Sequence, residues 1–180
     1  YWLCNNGRGR FWILPGSCDR AKQISDNYSR DVAVIPSPRG HDGYIGKYDA
    51  PDGTVVDIGV ISTGMGAPSV DIIATEMIKL GAKALVRVGT AGAMQKTLGI
   101  GDIVIATGAV RDEGAPRHYM PPEFPALGSA AVVTAMCSAA QLQLEDEDEN
   151  IQGGAQWIYD AGPVHTKDSP MAREFNSGPY

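Results

Sequence analysis

Cysteine is scarce in this sequence: Cys4, Cys18 and Cys137 are the only 3 in 180 residues, and no Cys-x-x-Cys occurs. An odd count at wide spacing points away from a disulfide framework and from a cysteine zinc site. It fits a reducing, cytoplasmic setting. Histidine is equally sparse, and neither His41 nor His165 stands at metal-ligand spacing, so no metal is expected. Long apolar runs are also lacking. None approaches the ~18–20 residues that a membrane helix needs, so no membrane partner is expected. An excess of positive charge is missing as well: 15 Lys and Arg stand against 21 Asp and Glu, for a net charge of -6. With no basic stripe, nucleic acid is not an expected partner. There is no internal repeat and no evident linker, and one domain over residues 1–180 is expected. The first residue is Tyr1 and no charged-then-apolar leader opens the sequence, which suggests trimmed ends.

What is present is ordinary for a domain with a real core: 43% hydrophobic and 20% charged residues. The 22 glycines and 12 prolines imply many tight connections. "FWILP" at 11–15 reads as a strand, with a helix expected from about Asp19 through Ile24. Residues 31–53 suggest strands and turns, with a hairpin signal at "APDG", 50–53. "TVVDIGVIS" at 54–62 is a β-branched strand. Val70, Ile73, Ala74 and Met77 then mark one face of a helix, with Pro68 at its start and Gly81 at its end. Strands are expected at 83–88, near 102–110 and near 158–166. Segment 111–128, with four prolines, reads as a long ordered loop. Ser129 is placed to cap an alanine-rich helix over 130–143. The acidic run at 145–149 reads as a solvated loop or helix end. Strands alternating with helices imply an α/β fold with a mixed or mainly parallel sheet.

Three strand-to-loop junctions carry the chemistry: "LPGSCDR" at 14–20, "STGMGAPS" at 62–69 and "RVGTAGA" at 87–93. In open α/β sheets ligands bind at the carboxyl ends of strands. Glycine turns there expose backbone N–H groups, and a following helix adds the positive end of its dipole. Arg20 and Arg87 add guanidinium groups, which favour an oxyanion such as phosphate. Arg87 stands inside an apolar strand, where a buried cation requires a partner. Two readings are open. Either Asp102 or Glu76 neutralises it from within, or an anion from outside does. No dinucleotide fingerprint and no Walker loop is present.

The order "ILPGSCDRA", "RGHDGYIGKY", "ISTGMGAPSVDIIATEMIKLGAKALVRVGTAGAMQ", "GDIVIATGAVRDEGAPRHYMPPEFPA", "VHTKDS" resembles the hexameric-type nucleoside phosphorylases, the purine nucleoside and uridine phosphorylase superfamily. The resemblance covers about residues 11–128 and 162–169, and the later motifs lean to the uridine branch. It implies α/β/α layers around one central, mixed, mostly parallel twisted sheet. It implies phosphorolysis of a nucleoside, uridine-like preferred, to free base and ribose 1-phosphate. Inorganic phosphate would be the co-substrate, with no cofactor. By position, Gly16, Arg20, Arg87 and Thr90 would bind phosphate, with Arg87 also the catalytic candidate. Arg39 would complete the site of a neighbouring subunit, so a homo-oligomer is implied, a dimer or a trimer of dimers. Met65, Thr90, Ala91 and Gly92 would border the nucleoside.

The sequence also departs from that pattern. Ser17 and Cys18 stand where the family's "GDPxR" has aspartate and proline. Pro170 and Met171 stand where an aromatic usually packs on the base, and "AREFNSG" at 172–178 offers no clear uracil-reading glutamine and arginine. The family's ribose-binding Glu-Met-Glu segment would fall beyond Tyr180, and its N-terminal histidine has no counterpart before Gly16. An incomplete C-terminus is therefore expected. Base identity stays open. The alternatives are a purine nucleoside phosphorylase, a nucleosidase using water, and a non-catalytic nucleoside- or phosphate-binding homologue.

Overall fold

Arg10–Pro15 (β1) is the strand around which the first half of the fold is built. The computed structural model describes residues 9–150 and 158–171, the side chains of 145–150 excepted. Cys4 and the segment 172–178 lie outside them. The chain divides into two compact units between Ala91 and Gly92, a position that no shift in composition marks.

In the first unit β1 is followed by α1 (Cys18–Tyr28), β2 (Arg30–Ile35), β3 (Gly43–Asp49), β4 (Val55–Ile61), α2 (Ala67–Lys79) and β5 (Ala82–Val88). The sheet order is β2-β3-β4-β1-β5. β1 runs parallel to both β4 and β5, while β2–β3 and β3–β4 are antiparallel. The turn predicted at 50–53 joins β3 to β4, closed by the Gly53 N–H donating to Ala50 O at 2.9 Å. The period-2 burial of β1 puts Trp12 and Leu14 in the core with Ile45, Ile61 and Met77. Ile73 packs there too, so the predicted face of α2 is the one it buries. Pro68 lies in the first turn of α2, and Gly81 follows it at φ +87. α1 begins one residue before the predicted start and runs four past the predicted end. It buries Ala21 and Ser25, one turn apart.

The second unit contains β6 (Ile103–Asp112), a 3-10 turn (Ala115–His118), β7 (Ala126–Leu127), α3 (Ala130–Asn150) and β8 (Tyr159–Lys167). Its sheet, β7-β6-β8, pairs β6 parallel to β8 and antiparallel to β7. The α/β class is thus observed, with one mixed sheet in each unit. The proline-rich segment is held by Arg111, whose guanidinium donates to Pro121 O (3.1 Å), Pro122 O (3.2 Å) and Phe124 O. α3 runs past the predicted end, its backbone carrying the acidic run 145–149 as helix. Glutamate is a good helix former, so charge there does not stop the helix.

Candidate functional site

Three parallel strands, β4, β1 and β5, end at the same edge of their sheet. The junctions read from the sequence therefore emerge side by side. The Thr63 N–H donates to Pro15 O at 2.8 Å, which ties the loop after β4 to the end of β1. Ser69 Oγ donates to Thr63 O at 2.6 Å and closes that loop onto the start of α2. Ser17 caps α1 by accepting from the Arg20 N–H at 3.4 Å. The N-terminus of α1 thus opens directly behind Gly16, with its dipole favouring an anion there.

Arg87 is brought to this rim. A methyl group on Gly16 would stand 3.5 Å from Arg87 Nη2 and 3.5 Å from Gly64 O. Arg87 Nη1 donates to Leu14 O (3.4 Å) and Val88 O (3.3 Å), which folds the guanidinium over the end of β1. The expectation of a buried cation is corrected: Arg87 is exposed, as the next-to-last residue of a strand that pairs on one side only. Neither carboxylate considered for it takes that role. Glu76 makes no ion pair among the described residues, and Asp102 accepts instead from the Gly99 N–H (2.7 Å) and the Ile158 N–H (3.0 Å). No described carboxylate of the first unit lies within ion-pair distance of Arg87.

The buried arginine of this sheet is Arg10, which the sequence reading passed over. It is 6% exposed. Its Nη1 donates to Gly46 O and Ile58 O at 3.2 Å each and lies 3.9 Å from Asp57. Burial pushes its guanidinium below the ordinary value, and the Asp57 charge acts in the opposite direction.

Arg20 is half-buried in the first turn of α1, and its guanidinium forms no ion pair among the described residues. Thr90 and Ala91 are exposed in the loop after β5, and Gly92 opens the second unit. Met65 is 93% exposed in the loop before α2, so it is not filling the core. Arg39 is exposed on the turn before β3, where its backbone N–H donates to Ser37 Oγ at 3.3 Å.

One group at the rim was not singled out from sequence. His41 Nδ1 and Ser62 Oγ share a hydrogen bond of 2.8 Å, and Cys18 Sγ lies 3.2 Å from the same hydroxyl. The signal was the order of elements: His41 stands two residues before β3, Ser62 directly after β4, and these strands are antiparallel neighbours. In the second unit, His165 Nε2 lies 3.1 Å from Asp112, where β6 and β8 end together. Among the described residues there is no group of 3 or more His, Cys, Asp or Glu able to hold a metal ion. No described helix is long and apolar enough to cross a membrane.

Comparison with known proteins gives the arrangement its family. Residues 10–174 match the model of the phosphorylase superfamily. The chain is 40% identical over 135 residues to a uridine phosphorylase of Treponema pallidum, covering 74% of this chain and 49% of that protein. It is 38% identical over 134 residues to a uridine phosphorylase of Thermococcus kodakarensis, covering 73% and 46%. It is 34% identical over 142 residues to a guanosine phosphorylase of Halorubrum lacusprofundi, covering 79% and 55%. The chain thus spans about half the length of these relatives. A match that begins at the first residue of β1 and runs through all three rim junctions identifies this chain as a member of the phosphorylase superfamily.

Proposed function

We propose that this chain carries the phosphate-binding half of a nucleoside phosphorylase of the uridine type. The N–H groups around Gly16 and the start of α1, with Arg20, Arg87 and Thr90, hold inorganic phosphate. Arg39 of a neighbouring copy completes the clamp, so the working protein is a homo-oligomer, dimer or larger. Met65, Thr90 and Ala91 border the nucleoside. The observation that carries this reading is an Arg87 guanidinium packed on Gly16 with no described carboxylate of its unit within ion-pair distance. A cation so placed is open to a mobile anion.

In the reaction, a phosphate oxygen bonds to the anomeric carbon as the carbon–nitrogen bond breaks. The bonding pair leaves with the base, which takes up a proton to balance the one that the phosphate gives up on becoming ribose 1-phosphate. The transition state has oxocarbenium character, as in other glycosidic cleavages. The clamp orients the nucleophile and sets its negative charge beside the developing positive ribose. No metal or organic cofactor enters this scheme.

The test is to incubate the protein with uridine, and separately with inosine, with and without phosphate, and to measure free base. Base released only with phosphate, and more from uridine, is the expected outcome. Release without phosphate would assign a nucleosidase instead, and nucleoside binding with no release would assign a non-catalytic binder.

A further inference from the structure

His41 lies outside the residue set that the phosphate reading uses, yet its ring adjoins that rim. The ring stands 3.2 Å (Cε1) and 3.6 Å (Nε2) from where a Cβ on Gly64 would be. Gly64 holds φ +70, and its carbonyl faces the same point beside Gly16 as Arg87 Nη2. Nδ1 is committed to Ser62 Oγ at 2.8 Å, and Ser62 is fully buried at 0% exposure. Cys18 Sγ also lies 3.2 Å from this hydroxyl, but a thiol is a weak partner, so the bond to His41 is the stronger of the two and costly to lose.

The other side of His41 is the turn that carries Arg39. That turn is braced from within: the Ser37 N–H donates to Asp42 Oδ1 (2.7 Å) and the Gly40 N–H to Ser37 O (3.0 Å). His41 joins this rigid turn to the Ser62–Gly66 loop. One side chain thus connects the arm presenting Arg39 with the loop that faces Gly16.

We propose that His41 is a positioning residue for phosphate binding: through Ser62 it sets the loop after β4 against Gly16 and holds the Arg39 turn in place. This rests on the phosphate reading above. It adds a residue that touches neither phosphate nor nucleoside and acts through Ser62.

The experiment is calorimetric titration of the protein with inorganic phosphate, for wild type, His41→Leu, His41→Asn and Ser62→Ala. His41→Leu is expected to weaken phosphate binding about tenfold, the scale of one lost buried hydrogen bond. His41→Asn is expected to return to within about threefold of wild type, since its amide offers a polar atom where Nδ1 stood. Ser62→Ala should match His41→Leu, and the double variant should lose no more than either single one. If His41→Leu does not fold, Ser62→Ala and His41→Asn carry the test alone. Wild-type phosphate affinity in His41→Leu or Ser62→Ala overturns the role of His41 while leaving the phosphate site standing. Independent, multiplying losses overturn it too. A wild type that takes up no phosphate overturns both.

Discussion

Arg10 and Arg87 sit on adjacent strands of one sheet and have opposite fates. Arg10 opens β1, is buried, donates to two carbonyls and lies near Asp57. Arg87 stands one residue before the end of β5 at the rim, exposed, with no described carboxylate of its unit within ion-pair distance. An apolar strand around a cation does not reveal which end of the sheet the cation will reach. Asp57 is far from Arg10 in sequence, and a lone arginine beside "FWIL" carries no local sign of that partner. Asp102 shows a similar long-range capture. Its carboxylate accepts the N–H groups of Ile158 and Gly99, which hold it below the ordinary value of about 3.9. A carboxyl depressed in the folded state adds stability above its unfolded value and loses it as pH falls through the folded one. Asp102→Asn should therefore lower the urea midpoint at pH 7, and its deficit from wild type should shrink as pH falls below the ordinary carboxylate value. A deficit that does not change with pH would refute this.

The elements with strong periodicity were readable. β1, β4, β5 and α2 follow from alternation, β-branching and the Pro68 and Gly81 punctuation. Their junctions gave the rim, because the parallel order β4-β1-β5 brings three glycine-rich turns to one edge. Weak local signals hid the rest. β7 is two residues long inside a proline-rich segment, and the 3-10 turn before it has no period to detect. α3 passed its expected end because an acidic run does not by itself break a helix. The packing of β1 on β4 is tighter than any pattern shows. Gly59 faces Trp12, and a Cβ there would stand 2.6–2.8 Å from three atoms of the indole. Trp12 is 2% exposed and has nowhere to go. Gly59→Ala should cost about 2–3 kcal/mol by overpacking, read as a lower thermal midpoint. Trp12→Leu should make room, so the double variant should lose less than the sum of the two. Additive losses would mean that the two positions do not meet.

At the scale of the molecule, the two units each hold a mixed sheet, and the first alone contains Gly16, Arg20, Arg87, Thr90 and the Arg39 turn. The proposed phosphate site therefore draws on one unit, with Arg39 of a neighbouring copy as its proposed complement. The most direct measurement is a calorimetric titration with inorganic phosphate of the wild type and of Arg87→Ala at equal protein concentration. Removing a charge-assisted donor costs about 1.5–3 kcal/mol, so Arg87→Ala should bind phosphate roughly ten- to a hundredfold more weakly with its fold intact. Equal phosphate affinity in the two proteins would contradict the account.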